Sequence, residues 1–331
     1  MYINIMSMKF FVLDTKDPYY NLAVEEYMFS ETEDDVFMLW QNAPCVVIGK
    51  NQNAYAEINI EKAKEKNISI VRRITGGGAV YHDGGNVNYT FISSEMSREG
   101  IDFAYFTQPI IEALATLGVS AELSGRNDLL ANGRKFSGNA QHSKGKRTLH
   151  HGTLLFDSDL SVLSDVLNVD TEKISSKGIK STRSRVINLR ELINAECDVR
   201  GFIGLIAGFV EEKYSVKRDE APANDKINAL RERNASSEWI YPERELLSRY
   251  AVRKKKRYDF GIVDMYIDMS NDVIKDIKIS GDFFGVSSIT ELEGLIVGLS
   301  TNELKERLGK LAIGSYIYGM TSELFIEHIT G

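Results

Sequence analysis

The spacing of apolar and polar residues predicts that strands and helices alternate through the first half of the chain. Asp17-Pro18 predicts the start of a helix, because the Asp side chain can accept from the free N–H groups of the first turn. Pro has no N–H, and this costs nothing at the first helical position. The alternation of Val87, Tyr89 and Phe91 with polar residues predicts a half-buried strand. Asn132-Gly133, between two strand-like runs, predicts a tight hairpin.

The remaining elements of this half follow from the same patterns. Strands are predicted at 36–40, 45–49, 68–74 and 148–156, helices at 57–67 and 104–117, a flexible basic turn at 142–147, and mostly helix from 157 to 215. The following stretch, 217–245, is polar and contains two prolines, which predicts a linker with a helix in it. Two strand patterns and three helical patterns then predict a separate small α+β domain, so the expected domains are 1–245 and 246–331.

Composition excludes several classes of protein. The chain has 331 residues, of which 43% are hydrophobic and 26% charged, as in ordinary globular proteins. A net charge of −7 argues against a protein that coats nucleic acid. Without an apolar run of ~18 residues or a signal peptide, a cytoplasmic protein with no membrane contact is expected. Cys45 and Cys197 are too few for a disulfide framework, and neither is expected to act as a nucleophile.

The strongest local motif is RRITGGGAVYHD, residues 72–83. A strand delivers two arginines to three consecutive glycines, whose N–H groups can surround an anion while Arg73 supplies a planar donor pair. The motif is neither a Walker A loop nor a dinucleotide fingerprint. A glycine-rich hairpin beside surface arginines is about equally favoured by the residues alone.

Three further features carry weaker predictions. Lys135, just after the predicted hairpin turn, is suited to stabilising negative charge, although a solvated surface lysine is the commoner case. Adjacent His150 and His151 must point to opposite faces of a strand, and no metal-ligand spacing is present, so no structural metal site is expected. The basic run 253–257 predicts a protected edge strand more than a nucleic-acid surface, and docking of an acidic protein is a third interpretation.

Taken in order, these motifs resemble the lipoate–protein ligase A family, within the biotin/lipoate ligase superfamily. The blocks that carry the resemblance are RRITGGGAVYHD (72–83), GRND (125–128), KFSGNA (135–140), HHGTLL (150–155) and KGIKSTRSRVINL (177–189). The resemblance implies an α+β fold, with a large mixed-sheet domain, flanking helices and a small C-terminal α+β accessory domain. Gly84 departs from the family, which often has a larger residue there.

The resemblance also implies a reaction and a site. Lipoate reacts with ATP, with Mg²⁺ as cofactor, and the lipoyl-AMP formed acylates a lysine of a carrier protein. Lys135 is the implied catalytic residue. The implied ATP-binding residues are Arg73, Gly78, Ala79, Val80, Tyr81 and Lys135, and the implied lipoate- or adenylate-binding residues are Lys135, Trp40, His82, Asn86, Asp128 and His151.

The implied partners are apo lipoyl domains of 2-oxoacid dehydrogenase acyltransferase subunits, the glycine-cleavage H protein, or both, with no nucleic acid and no membrane. The alternative is an ATP-independent lipoyl or octanoyl transferase acting between carriers. Related octanoyltransferases that use a cysteine tend to have Arg at the third glycine, so Gly78 argues against them. The non-enzyme alternative is a nucleic-acid-binding protein that uses 253–257 and the 142–147 turn.

Overall fold

The computed structural model describes residues 8–94, 101–159, 161–168, 185–242 and 249–331. The chain divides into two compact units. The large unit comprises Met1–Val47, Ile58–Val71 and Val80–Ile240, and the small unit comprises Ile48–Glu57, Arg72–Ala79 and Tyr241–Gly331. The domain boundary predicted at 245/246 lies outside the described residues and stays a prediction, as does the part of the last family block before 185.

The large unit is built on a mixed seven-stranded sheet. Its strands are β1 (Lys9–Val12), β2 (Val36–Trp40), β6 (Asn86–Ser93), β7 (Ala121–Ser124), β8 (Asp128–Ala131), β9 (Arg134–Lys144) and β10 (Arg147–Leu155), in the order β1-β2-β6-β10-β9-β8-β7. β1 and β2 are parallel, and the pairs from β2 to β7 are antiparallel. A second sheet has the order β4-β3-β5, with β3 (Cys45–Ile48), β4 (Ser69–Arg72) and β5 (Val80–His82).

Helices cover both faces of the large sheet, with α4 (Phe103–Thr116) and α6 (Val199–Tyr214) on one face and α1 (Pro18–Glu31) on the other. The large unit also contains α3 (Ile60–Glu65), α5 (Leu163–Val166), α7 (Asp225–Ala235) and α8 (Ser237–Ile240), whereas α2 (Ala54–Glu57) belongs to the small unit. Phe106 of α4 and Phe202 of α6 join Tyr89 and Phe91 of β6 in the main core. Because side chains alternate along a strand, Asn86, Asn88 and Thr90 lie on the opposite face of β6. That second face is the one that α1 contacts, through Glu25.

The small unit has its own sheet and core. Its strands are β11 (Val252–Tyr258), β12 (Gly261–Ser270) and β13 (Val273–Gly281), and its helices are α9 (Ile289–Ile296), α10 (Thr301–Leu308), α11 (Ile313–Tyr316) and α12 (Ser322–Thr330). Inward residues of β12 and β13 pack with apolar residues of the four helices. The basic run 253–257 lies on β11, an edge strand, as predicted. These two units confirm the predicted α+β fold class.

Several elements match the sequence patterns, and four differ. Asp17 caps α1 by accepting from Tyr19 N and Tyr20 N, as predicted. The helix predicted at 57–67 is shorter and spans only α3 (Ile60–Glu65), because the Asn59 side chain caps its start by accepting from Lys62 N. The turn predicted at 142–147 occupies only 145–146, because β9 and β10 extend to either side of it.

The half-buried strand predicted around 87–91 is β6, which is buried at all eight positions. The predicted linker 217–245 contains α7, which packs against α1 and is tied to it by Arg231–Asp17 and Arg233–Glu26 ion pairs. Among the described residues, no helix is both long enough and apolar enough to cross a membrane.

Candidate functional site

The glycine-rich loop follows β4 and lies within the small unit. Arg73 is buried and organises this loop: Nε donates to Thr75 Oγ1 at 2.9 Å, and Nη2 donates to the carbonyls of Gly76 and Gly78, both at 2.8 Å. Arg72 does the same for the preceding turn, where Nη1 donates to the carbonyls of residues 49, 50 and 52. Arg73 therefore holds the shape of the glycine-rich loop, and Arg72 holds the shape of the 49–52 turn.

The three glycines of the loop differ in what they contact. A Cβ on Gly76 would lie 2.5 Å from the carbonyl oxygen of Phe283. Gly77 has φ +93°, donates its N–H to the Phe283 carbonyl at 3.2 Å, and would place a Cβ 2.8 Å from the Phe284 ring. At Gly78 the nearest atom to an added Cβ is 3.9 Å away. The fold of the small unit therefore requires glycine at 76 and 77, and leaves open space at 78.

Lys135 and Asp128 come together in the large unit. They lie on β9 and β8, and Lys135 Nζ is 2.7 Å from Asp128 Oδ1, with both side chains about one-third exposed. The main chain of Lys135 is also held, because its N–H donates to Arg185 O and its carbonyl accepts from Ile187 N. A Cβ on Gly138 would lie 3.2 Å from Nζ, so the lysine crosses this glycine. The cation is fixed in place yet accessible.

A buried hydrogen-bonded chain crosses the second face of the large sheet. Trp40 Nε1 donates to Thr90 Oγ1 at 3.0 Å, and Thr90 donates to Glu25 Oε1 at 2.7 Å. His151 Nδ1 lies 2.9 and 3.0 Å from the two carboxylate oxygens of the same Glu25. Buried carboxylates are rare unless they are paired, and this one fixes the orientation of both His151 and Thr90.

His82 extends this face toward β5. Its ring meets that of Trp40 edge-on, with centroids 6.3 Å apart, and its Nδ1 is 3.0 Å from Asn42 Nδ2. Asn42 also donates to Cys45 Sγ at 3.6 Å. Burial raises the pKa of the Cys45 thiol, which favours the unreactive thiol form.

Asn86 and Asn88 lie side by side on β6, on the same face as Thr90. Asn86 Nδ2 donates to Asn88 Oδ1 at 2.9 Å, and both residues are buried. Across all described residues, neither Asn86 Oδ1 nor Asn88 Nδ2 finds a hydrogen-bond partner. A buried donor and a buried acceptor on this face are thus left for another molecule.

His150 belongs to the opposite face, as the strand alternation predicts. Its ring stacks on Phe106, with centroids 5.2 Å apart, and Gln141 Nε2 lies 2.9 Å from Nδ1. Burial, with a smaller contribution from the charge of His151, lowers the pKa of His150 well below 6.5. His150 is therefore a neutral core residue.

Desolvation raises the pKa of Tyr81, a predicted ATP-binding residue on β5, to about 12.

The residues implied by the resemblance fall into two groups. The small unit contains Arg73, Gly78 and Ala79; the large unit contains Trp40, Val80, Tyr81, His82, Asn86, Asp128, Lys135 and His151. Sequence reasoning missed Glu25, Thr90 and Asn88 on the second face. Glu25 was detectable, because Leu22 and Phe29, three residues before and four after it, put it on the buried face of α1.

Comparison with known proteins gives family matches along most of the chain. Residues 17–209 match the model of the lipoyl protein ligase A/B catalytic domain, and residues 248–329 match that of the bacterial lipoate protein ligase C-terminus. The chain is 38% identical to lipoate–protein ligase LplJ of Bacillus subtilis over 95% of this chain and 97% of that protein. The chain belongs to the lipoate–protein ligase A family.

Two solved structures share the fold of this family member. P. falciparum LipL1, solved in complex with lipoate, superposes with a TM-score of 0.78 and 23% identity over 97% of this chain and 98% of that one. A bipartite lipoate–protein ligase of Thermoplasma acidophilum, described with its E2 lipoyl domain, gives 0.62 and 26% identity over 74% and 98%. The predicted family membership is therefore confirmed, whereas the roles assigned to individual residues stay predictions.

Proposed function

We propose that this protein activates lipoate with ATP and transfers the lipoyl group to a lysine of lipoyl-carrier domains. The observation that carries the proposal is the 38% identity to a lipoate–protein ligase along nearly the whole of both chains. In the first step the lipoate carboxylate bonds to the α-phosphorus of ATP and pyrophosphate leaves. In the second step the lysine nitrogen bonds to the acyl carbon, AMP leaves with the electron pair, and the nitrogen releases a proton.

Lys135 is the proposed catalytic residue. Adenylation brings a carboxylate to a triphosphate, so a fixed cation at that point lowers the repulsion between them. The partly exposed Lys135 ammonium, held by Asp128 at 2.7 Å, is suited to this task. Asp128 is proposed to orient the Lys135 ammonium group until the adenylate forms, when the ammonium group also pairs with the negative charge of the adenylate.

The nucleotide is proposed to bind at the glycine-rich loop. Arg73 orders the loop, and the open space at Gly78 lets phosphate or ribose approach the main chain of Gly78 and Ala79. Val80 and Tyr81 continue this segment along β5 and are proposed to contact the nucleotide.

Lipoate is proposed to lie on the second face of the large sheet. Trp40 offers an apolar wall, and His82, Asn86 and His151 supply its polar limits.

Mg²⁺ is proposed to accompany ATP. Among the described residues, no three His, Cys, Asp or Glu side chains form a metal-binding cluster. Mg²⁺ commonly keeps several waters and binds through substrate phosphates with one or two carboxylates. Asp128, 2.7 Å from Lys135, is a carboxylate beside the proposed adenylation site and is proposed to be available to such an ion.

The proposed acceptors are apo lipoyl domains of 2-oxoacid dehydrogenase acyltransferases, the glycine-cleavage H protein, or both. The archaeal relative that is 26% identical was described together with its E2 lipoyl domain, which favours the acyltransferase class.

The test is to incubate the purified protein with lipoate, Mg-ATP and a panel of apo carriers, and to measure pyrophosphate and carrier mass. A carrier gains one lipoyl group, with one pyrophosphate released per transfer. Lys135→Ala should lower lipoyl-AMP formation by about 10²–10³-fold without unfolding the protein. Transfer from a lipoylated carrier without pyrophosphate would instead support the ATP-independent transferase.

A further inference from the structure

Asn88 Nδ2, which has no partner among the described residues, belongs to a row of neighbouring residues that crosses the second face of the large sheet. In the sheet register, Asn88 faces Trp40 of β2 on one side and Thr153 of β10 on the other. The next strand, β9, joins the row where Gly138 N–H donates to Thr153 Oγ1 at 3.1 Å. The Lys135 side chain passes over Gly138, so the row runs from the Trp40 ring at one end to the Lys135 ammonium group at the other.

The Asn88 donor is buried and lies between Trp40 and the Lys135 end of this row. Asn88 is 2% exposed, and a buried N–H without an acceptor costs about 1–3 kcal/mol, so such a group usually serves a bound molecule or a water. Under the proposed function, lipoate occupies the row with its carboxyl end toward Lys135. The acyl part of lipoyl-AMP has one strong hydrogen-bond acceptor, the carbonyl oxygen. The two sulfur atoms of the lipoyl ring accept hydrogen bonds only weakly.

We propose that Asn88 Nδ2 donates a hydrogen bond to the acyl carbonyl oxygen of lipoyl-AMP. This inference rests on the proposed function and adds a catalytic residue to it. When the lysine nitrogen attacks, the carbonyl electron pair moves onto that oxygen, and it returns when AMP leaves. A fixed donor gains most while the oxygen carries this charge, so Asn88 accelerates acyl transfer. The bond from Asn86 Nδ2 to Asn88 Oδ1 holds the amide in position.

Two adenylate analogues separate carbonyl recognition from general binding. The first keeps the acyl carbonyl next to a non-hydrolysable sulfamoyl link, and the second replaces that carbonyl by a methylene group. Isothermal titration of the full-length wild type should show a preference for the carbonyl analogue, which also carries the more acidic N–H of an acyl sulfamate. Asn88→Ala and Asn88→Val should each lower this preference about tenfold, the effect of one hydrogen bond, and should bind the methylene analogue as the wild type does.

Asn139 provides a matched control on the same sheet. It is also buried, but it faces the core, where Nδ2 donates to Asn127 O at 3.0 Å and Oδ1 accepts from Tyr89. Asn139→Ala should lower thermal stability, keep the carbonyl preference, and keep the transfer rate per folded molecule. The Asn88 variants should show the reverse pattern, with transfer from preformed lipoyl-AMP slowed about 10²-fold.

Each outcome decides the proposal. Equal weakening of both analogues by the Asn88 variants would mean that Asn88 holds a water or shapes the sheet, and would overturn it. Failure of both variants to fold would also overturn it, because the amide would then serve the fold. A wild type that binds neither analogue would refute the proposed function itself, whereas a wild type that binds both without preference would refute only the role of Asn88.

Discussion

Replacing single glycines of the 76–78 loop should separate the proposed nucleotide binding from folding. At Gly78 the nearest described atom to an added Cβ is 3.9 Å away, so Gly78→Ala should fold normally. Removing a glycine also restricts the unfolded chain, which stabilises a protein by about 0.4–1 kcal/mol where the conformation suits alanine. At Gly76 the same Cβ would lie 2.5 Å from a backbone oxygen, so Gly76→Ala should destabilise by about 1–3 kcal/mol.

ATP affinity should respond in the opposite order, because Gly78→Ala should weaken it and Gly76→Ala should not. The Cβ of Gly78→Ala would point into the space proposed for phosphate or ribose, so ATP affinity should fall at least tenfold, and Gly78→Arg should abolish binding. Gly76→Ala should keep ATP affinity in the molecules that remain folded. Urea denaturation gives the stabilities, and titration with a non-hydrolysable ATP analogue gives the affinities.

The result that would refute this reasoning is specific. If Gly78→Arg is folded and binds the nucleotide analogue like the wild type, the glycine loop is not the ATP site. The resemblance of RRITGGGAVYHD to an adenylate-binding motif would then concern loop structure alone, with Arg73 serving only the carbonyls that it contacts.

Three further predictions concern the fold of the large unit. Gly84→Ala should stabilise the protein by about 0.4–1 kcal/mol, because no atom of the described residues lies within 4 Å of its Cβ. Gly85→Ala, whose Cβ would lie 1.9 Å from Asp157 O, should lower the stability in the same urea titration. Burial lowers the pKa of His150 in the folded state, so only the unfolded state takes up this proton as the pH falls below about 6.5. Between pH 7.5 and pH 5.5 the free energy of unfolding of the wild type should therefore fall by about 1.4 kcal/mol more than that of His150→Gln. Arg147 donates to the carbonyls of residues 28, 29, 33 and 34, so Arg147→Lys should cost about 2 kcal/mol in denaturation while leaving turnover per folded molecule unchanged.

Local chemistry explains which parts of the fold were predictable. The Asp17 cap and the Asn132-Gly133 turn are decided by a few neighbouring residues, and both occur where the sequence predicts them. The break before Ile60 and the packing of α7 on α1 depend on side-chain contacts that periodicity does not encode. Residues 48–57 and 72–79 group with the C-terminal residues 241–331, and no composition boundary marks these segments.

The site was predictable only where the resemblance supplied it. Lys135 and Arg73 stand in recognisable motifs, and Arg73 is held by neighbours within its own motif. The main chain of Lys135, in contrast, is held by a distant segment, because its N–H donates to Arg185 O. Glu25 and its neighbour Glu26 are identical in type, yet one is buried beside His151 and the other pairs with Arg233. Only the helical period, combined with knowledge of which face is covered, distinguishes them.

Strand β6 illustrates how an alternating pattern can mislead about exposure and still point to function. Polar residues at every second position normally indicate a solvated face, which is why a half-buried strand was expected. Here the strand lies between β2 and β10, and the helix α1 contacts its polar face. A polar face buried in this way must be hydrogen-bonded internally or by a bound molecule. Thr90 is satisfied internally by Glu25 and Trp40, whereas Asn86 and Asn88 each have one amide atom without a partner in the part of the chain that the structure describes. Central strands with alternating polarity are therefore places to look for ligand contacts, and the unused amide atoms narrow the search to two residues.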